Sequence, residues 1–213
     1  MAIPRGVSEL AVLRRRSRAD EAMERYADGD EAAFSVLYDE LAPRLYRFAL
    51  RQLRSRANAE DIVQQTLLQM HGARSRFVRG AAVLPWAYAI ARRLTIDVCR
   101  RPDHDPLGTP EGFGSEPQSI AASPEEALHR RRSEAALEQD VARLPGAWRE
   151  AFELTKVDGL SASTAAEVLG VTPGTVKIRA HRATVALRKA QAQRDEDTIG
   201  RTDARPDKTE AHP

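Results

Sequence analysis

Positive charge and aromatic rings are concentrated in one stretch of this 213-residue chain, where no acidic residue occurs between Asp61 and Asp97. The stretch contains five arginines and three aromatic residues: Arg74, Arg76, Arg79, Arg92, Arg93, Phe77, Trp86 and Tyr88. Guanidinium groups attract a phosphate backbone, and aromatic rings stack on unpaired bases. An ordinary solvated helix face mixes both signs of charge. Because the whole chain has a formal net charge of only +2, this local excess favours a nucleic-acid-binding surface.

Two helices joined by a glycine-containing loop must position these side chains. Helical periodicity predicts the first helix over residues 59–73, with Asn58 as its N-cap. Its buried side consists of Ile62, Val63, Thr66, Leu67 and Met70. Its outer side consists of Asp61, Gln64, Gln65 and Leu68. A leucine among polar side chains indicates a partner-binding surface, although single exposed leucines are also ordinary.

The second helix is predicted over residues 85–100, with Pro85 in its first turn. Its buried stripe consists of Ala87, Ile90, Ala91, Leu94 and Val98. Its arginines project away from that stripe. A long helix that Pro43 bends or divides is predicted earlier in the chain. Its core residues are Phe34, Leu37, Tyr38, Leu41, Leu45, Phe48 and Ala49.

Short motifs in this stretch resemble a known family. Residues 59–66, Ala-Glu-Asp-Ile-Val-Gln-Gln-Thr, resemble the polymerase-binding segment of bacterial sigma factors, especially those of the extracytoplasmic-function (ECF) group. The family's promoter-melting segment is matched in order by Arg76-Phe77, Trp86, Ile90-Ala91-Arg92 and Ile96-Asp97. The family commonly has an acid where Gln65 stands and an aromatic residue where Leu67 stands. Its loop is also more polar than residues 78–82 are here.

The resemblance implies that residues 25–101 form sigma region 2. The residues facing the clamp of the polymerase's largest subunit would be Asp61, Gln64, Gln65 and Leu68. The residues contacting the −10 promoter element would be Arg76, Phe77, Arg79, Gly80, Trp86, Arg92 and Arg93. The loop over residues 77–82 would hold a base flipped out of that element.

A second helical region is predicted over residues 125–190. Gly159 and Gly170 are expected to end its second and third helices, and Thr172-Pro173 to open a fourth. Helix, glycine-containing turn and helix form the outline of a helix-turn-helix, which is the form in which many proteins present a helix to the major groove. This outline by itself also fits any three-helix bundle.

The fourth helix of this region is acid-free, since no acidic residue occurs between Glu167 and Asp195. Its predicted buried stripe consists of Val176, Ala180, Ala183 and Leu187. Residues 174–183 resemble the sigma-factor segment, in region 4, that reads the −35 promoter element. The family usually has serine where Ile178 stands and leucine where Ala180 stands. The DNA-binding residues that the resemblance implies are Thr175, Lys177, Ile178, Arg179, His181 and Arg182.

Three segments lack helical periodicity. Residues 1–24 are predicted to be a flexible N-terminal arm, and residues 191–213 a disordered tail. Residues 102–124 contain five prolines and are predicted to be a flexible linker, too long for a loop within one compact domain. The predicted fold is therefore all-α: two small helical domains joined by a flexible linker, the second a winged-helix-like helix-turn-helix domain.

Composition excludes several kinds of site. The single cysteine, Cys99, excludes an intramolecular disulfide, and the five histidines are scattered without zinc-ligand spacing. No apolar run approaches the length of a membrane span, and no signal peptide is visible. We therefore expect a cytoplasmic protein with no metal, no cofactor and no membrane insertion.

The resemblance implies a promoter-specificity subunit of RNA polymerase that opens DNA and is not itself an enzyme. Its partners would be the polymerase core (the clamp of the largest subunit and the flap of the second), promoter DNA and an anti-sigma factor. One alternative is a stand-alone helix-turn-helix regulator that does not bind the core. A nucleic-acid enzyme is disfavoured because paired carboxylates with histidine, metal-ligand clusters and phosphate-cradling loops are missing.

Overall fold

The computed structural model describes residues 16–101 and 124–203, and these residues form eight α-helices and no β-strand. The helices of the first range are α1 (Arg18–Ala27), α2 (Ala33–Leu53), α3 (Arg56–Gly72) and α4 (Val83–Cys99). Those of the second range are α5 (Pro124–Arg143), α6 (Gly146–Phe152), α7 (Ala162–Leu169) and α8 (Pro173–Asp203). The predicted all-α class is confirmed, and the absence of strands in the described residues leaves no strand-built wing there.

The described residues form two compact units. The N-terminal unit comprises residues 16–101 and 163–172, and the C-terminal unit comprises residues 124–162 and 173–203. The predicted linker lies outside the described residues, except for Pro124, which begins α5. No helix within the described part of the chain combines the length and the apolarity that a membrane span requires.

Helix α2 forms the centre of the N-terminal unit and packs against α1, α3 and α4. Leu37, Leu41 and Leu45 recur at four-residue intervals, so they share one side of the helix and are almost completely buried. Pro43 lies on the exposed side, and α2 continues through it undivided. The prediction that Tyr38 is a core residue is wrong, because its side chain is turned away from the leucine row and is exposed.

Helix α3 begins three residues earlier than predicted. Its N-cap is Ser55 and not Asn58: the Ser55 hydroxyl accepts a hydrogen bond from the Asn58 N–H at 3.3 Å. Arg54, at φ +52°, ends α2 in the left-handed conformation and so allows the chain to reverse within two residues. The predicted buried side is confirmed, since Ile62, Val63, Thr66, Leu67 and Met70 are all buried.

Helix α4 begins at Val83 and ends at Cys99, so Pro85 lies in the first turn as predicted. Ala87, Ile90 and Ala91 are buried, whereas Leu94 and Val98 are only partly buried. Tyr88, which the sequence grouped with the base-stacking aromatics, is completely buried and meets the edge of Phe48 at 5.4 Å between ring centroids. Tyr88 is therefore a core residue.

Helix α1 begins within the segment predicted to be a flexible arm. Ser17 and Asp20 form a capping box: the Ser17 hydroxyl accepts from the Asp20 N–H, and the Asp20 carboxylate accepts from the Ser17 N–H at 2.9 Å. Ala19, Ala22, Met23 and Tyr26 form its buried face. Residues 18–24 are therefore helical and not a flexible arm, because this packing orders them. Residues 1–15 of the predicted arm lie outside the described range.

Asp20 also caps a second helix. The residue before α4 is Ala82, whose side chain cannot accept a hydrogen bond, so the first turn of α4 needs an acceptor from elsewhere. The second carboxylate oxygen of Asp20 accepts from the Val83 N–H at 2.8 Å, in a contact that is buried. One carboxylate therefore joins the beginnings of α1 and α4.

The C-terminal unit contains α5, α6 and α8, which pack around Leu144, Ala183 and Leu187. The predicted stripe of α8 is confirmed, because Val176, Ala180, Ala183 and Leu187 are all buried. Helix α8 runs to Asp203, so part of the predicted tail is helical; the Arg194 guanidinium is paired there with Asp140 of α5. Residues 204–213 lie outside the described range.

The helix boundaries expected of a helix-turn-helix are present in the chain. Helix α6 is followed by a π-helical turn, Glu153–Val157, and then by Gly159 at φ +70°. Helix α7 ends before Gly170, whose φ of +65° is readily adopted by glycine, and α8 begins at Pro173 as predicted.

Replacing Asp20 with alanine should lower the free energy of unfolding by about 2–4 kcal/mol, because two helices lose a cap and the buried Val83 N–H loses its acceptor. Urea denaturation followed by circular dichroism measures this change. The control is Glu21→Ala, an exposed acid one residue later, for which we expect a change of about 0.5 kcal/mol or less. Equal stabilities of the two variants would show that Asp20 has no capping role.

Candidate polymerase and nucleic-acid interfaces

The outer side of α3 carries all four residues predicted to bind the polymerase core. Asp61, Gln64, Gln65 and Leu68 are exposed, and Leu68 retains 60% of its accessible surface. Their spacing of three and four residues places them in one strip along the helix. We call these four residues the α3 strip. Because the opposite side of α3 is buried in the core, the strip is held on a rigid element.

The loop between α3 and α4 brings two aromatic rings together. Phe77 follows a 3₁₀ turn, Arg74–Arg76, and Trp86 lies in the first turn of α4. Their ring centroids are 5.7 Å apart, with an angle of 36° between the planes, and both side chains are half-buried. The two rings therefore close the base of the loop from its two ends and leave partly exposed faces on which a base can stack.

Helix α1 holds this loop through three acids placed four residues apart. Asp20 accepts from the Val83 N–H, as described above, and Glu24 accepts from the Gly80 N–H at 2.8 Å. Asp28 accepts from the Arg79 guanidinium, with both carboxylate oxygens 2.5 Å from Nη2. We call Asp20, Glu24 and Asp28 the α1 acid row. Sequence reasoning missed it, although the spacing Asp-x-x-x-Glu-x-x-x-Asp places three acids on one helix face.

The charge of Glu24 is stabilised in the folded protein. The Gly80 N–H is the main cause that lowers the pKa of the Glu24 carboxyl, and the Arg16 guanidinium, ion-paired with Glu24, lowers it further. A carboxyl group whose pKa is lower in the folded protein than in the unfolded chain stabilises the fold at pH values above its ordinary pKa. This contribution is lost as the pH falls through the lowered pKa. The hold of α1 on Gly80 is therefore fully present at neutral pH.

The predicted arginines around the loop differ in their surroundings. Arg76 and Arg79 are exposed in the loop region, whereas Arg92 and Arg93 of α4 are half-buried. Arg93 donates to the side-chain oxygen of Gln69 on α3. It also lies two helical turns after Trp86, on the same side of α4. The structure therefore aligns Arg93 with Trp86 along one face of α4.

The outer side of α8 presents four of the six predicted DNA-binding residues to solvent: Lys177, Ile178, His181 and Arg182. Thr175 and Arg179 are half-buried. The Arg182 guanidinium lies over the Trp148 ring of α6, 5.8 Å from its centroid. This cation–π contact orients Arg182, and sequence reasoning did not identify Trp148 as its partner.

Side chains suitable for metal binding are dispersed. Within residues 16–101 and 124–203, no group of three or more histidine, cysteine, aspartate or glutamate side chains could hold a metal ion. His71 is instead engaged by the Tyr26 hydroxyl and by the Arg74 guanidinium, whose Nη1 lies 3.1 Å from the His71 Nε2. His71 of the N-terminal unit therefore contacts Tyr26 and Arg74 and not other residues that could share a metal ion with it.

Two family models match the chain, one in each of the predicted helical regions. Residues 37–104 match sigma-70 region 2, and residues 135–187 match sigma-70 region 4. The RNA polymerase sigma factor CarQ of Myxococcus xanthus is 34% identical over 167 residues, which cover 78% of this chain and 94% of CarQ. The ECF RNA polymerase sigma factor SigW of Bacillus subtilis is 32% identical over 169 residues, which cover 76% and 90%.

Solved structures share the fold. The structure of CnrH in complex with the cytosolic domain of CnrY covers 85% of this chain, with a TM-score of 0.62 and 22% identity. The sigma factor RpoE of Bartonella quintana, in complex with the anti-sigma factor NepR, covers 75% with a TM-score of 0.56 and 23% identity. The order of the two family matches and the identity to CarQ and SigW establish the family. The chain belongs to the extracytoplasmic-function group of the sigma-70 family of RNA polymerase sigma factors.

Proposed function

We propose that this sigma factor binds the polymerase core through the α3 strip, opens the −10 element with the loop before α4, and reads the −35 element with α8. As a sigma factor, the chain is a promoter-specificity subunit and not an enzyme. The proposal rests on the exposed α3 strip, which lies on a helix whose opposite side is buried in the core. A stand-alone regulator that uses only α8 has no need of such a surface.

Leu68 is the apolar centre of the proposed core-binding surface. Its side chain is largely exposed, and Gln64, Gln65 and Asp61 surround it along the helix. Burying an exposed leucine against a partner removes apolar surface from water, and the polar neighbours supply a hydrogen-bonding rim. This arrangement supports a protein interface that combines an apolar contact with polar specificity.

Leu68→Glu should weaken core binding by about 2 kcal/mol or more, because it puts a charge into an apolar contact. Helicity should be unchanged, since the position is exposed. Titration of labelled protein with purified polymerase core measures the affinity, and circular dichroism of the same samples measures the fold. The control is Tyr38→Glu, a similarly exposed apolar side chain on α2 that has no proposed role in binding. Core affinities that are equal for the parent and Leu68→Glu would exclude the α3 strip as the interface.

The loop before α4 combines the features that capture of an unpaired base requires. Phe77 and Trp86 offer aromatic faces, and Arg76 and Arg79 supply positive charge beside them. The backbone at Gly80 is held by Glu24, so the loop is ordered before DNA arrives. Preorganisation of this kind reduces the entropy that binding must remove.

Phe77→Ala should reduce promoter melting more than binding to closed duplex, because stacking on an unpaired base contributes about 1–3 kcal/mol. Permanganate reactivity of unpaired thymines reports melting, on a promoter that the holoenzyme selects from a randomised library. Phe77→Tyr is the control: it keeps the ring and should keep melting. If Phe77→Ala melts the promoter normally, or only loses thermal stability, Phe77 does not contact the base.

Helix α8 displays side chains suited to reading the base sequence and to positioning the protein on DNA. Ile178 and Arg182 lie one turn apart on the exposed side, and an arginine pairs bidentately with guanine while an isoleucine contacts a thymine methyl group. Lys177 is better suited to phosphates, which position the protein without specifying sequence. The cation–π contact with Trp148 supports the assignment of Arg182, since an oriented guanidinium loses less freedom on binding.

Arg182→Ala should cost about 1–3 kcal/mol and relax the preference at one −35 position. Lys177→Ala should instead weaken binding to every sequence and lower the salt slope by about 1. Ile178→Ser, which introduces the family's usual residue, should change the preferred base. Holoenzyme binding to a −35 library at two salt concentrations tests all three variants. If Arg182→Ala weakens binding to every sequence equally, this face of α8 does not read bases.

The remaining partners follow from the family. The solved relatives are bound to the cytosolic domain of CnrY and to the anti-sigma factor NepR. We extend this to an anti-sigma factor that covers the α3 strip of this chain, and to contact of the C-terminal unit with the flap of the polymerase's second subunit. The protein works where the polymerase works, in the cytoplasm.

A further inference from the structure

Arg79, which the proposed function places against DNA, already has an anionic partner inside the protein. Both carboxylate oxygens of Asp28 lie 2.5 Å from its Nη2, and the side chains are 69% and 52% exposed, respectively. Exposed ion pairs contribute little net stability. A phosphate accepts the same guanidinium hydrogen bonds with at least equal charge, so it can replace the carboxylate.

The loop does not depend on this ion pair for its shape. Glu24 fixes the backbone at Gly80, and Asp20 fixes it at Val83. Gly80, at φ +81°, adopts a conformation that other residues rarely adopt. The backbone on the C-terminal side of Arg79 is therefore held by two other acids. The Arg79 side chain is free to leave Asp28 while the loop keeps its conformation.

We propose that Asp28 is a positioning residue that stands in for a DNA phosphate: it orients Arg79 beside the loop and is displaced when the −10 strand binds. The inference rests on the proposed role of the loop in DNA binding. It goes further because it makes the residue that caps the C-terminal end of α1 a determinant of DNA affinity. This residue lies outside the segment 37–104 that matches sigma-70 region 2. Asp28 lowers that affinity, since its ion pair must break before Arg79 reaches a phosphate.

Asp28→Asn tests the displacement, because it removes the competing charge and preserves the size of the side chain. The probe is a fork-junction DNA, a duplex with a randomised single-stranded overhang, bound by holoenzyme at low salt. We expect binding about two- to fivefold tighter than with the parent protein, the range that corresponds to one exposed ion pair. The free energy of unfolding should fall by no more than the same small amount, because the ion pair that opposes DNA binding also stabilises the fold.

Asp30→Asn is the matched control. Asp30 is two residues from Asp28 and pairs with Arg25 rather than with Arg79, and its replacement makes the same change in net charge. It should tighten DNA binding less than Asp28→Asn does. The double variant Asp28→Asn/Arg79→Ala should bind like Arg79→Ala alone, because the gain passes through Arg79.

The outcomes separate this inference from the proposed function. If Arg79→Ala weakens binding while Asp28→Asn has no more effect than Asp30→Asn, the displacement is wrong and the loop's role stands. If the gain from Asp28→Asn survives in the double variant, Asp28 acts by general charge and the inference is also overturned. If Arg79→Ala binds the probe like the parent, the proposed role of Arg79 in the loop fails, and the inference fails with it.

Discussion

The buried carboxylate of Asp20 accepts hydrogen bonds at the beginnings of two helices, and the loop that we propose to contact DNA depends on it. Helix α4 begins after Ala82, which has no capping group, so without Asp20 the Val83 N–H is buried with no acceptor from α1. Glu24 extends the same support to Gly80. The loop between Phe77 and Val83 is therefore shaped by a helix that lies far earlier in the chain.

Three of the side chains that we propose to contact DNA have partners within the protein, and these contacts are weak. Arg79 pairs with Asp28 at the surface, Arg93 donates to Gln69, and Arg182 lies over the Trp148 ring. Such contacts reduce the number of conformations a long side chain samples without holding it as firmly as a buried ion pair does. In the proposed function, DNA phosphates and base edges would replace these contacts instead of meeting disordered side chains.

The two sides of α3 have different roles: the inner side stabilises the domain, and the outer side is the proposed binding surface. Its inner side, with Ile62 and Met70, is buried, while Leu68 on the outer side is exposed. We expect substitutions on the inner side to act through the packing of the domain, and those on the outer side to act through association with the proposed partner. The same separation holds on α8, where Val176 is buried and Ile178 is exposed.

Burial along a helix follows a local period of 3.6 residues, and the sequence alone therefore predicts most of the inward-facing positions. It predicted the buried sides of α3 and α8 and the exposure of the α3 strip, together with the glycine that ends α7. Only the folded structure shows that Tyr88 meets Phe48 in the core and that Asp20, Glu24 and Asp28 hold the loop. Those contacts join residues 40 to 63 positions apart, and a local pattern carries no record of which distant element will supply a partner. For the same reason the sequence predicts an arm where residues 18–24 of α1 lie and a tail where α8 continues beyond residue 190. Each segment is ordered by packing against, or ion pairing with, another helix.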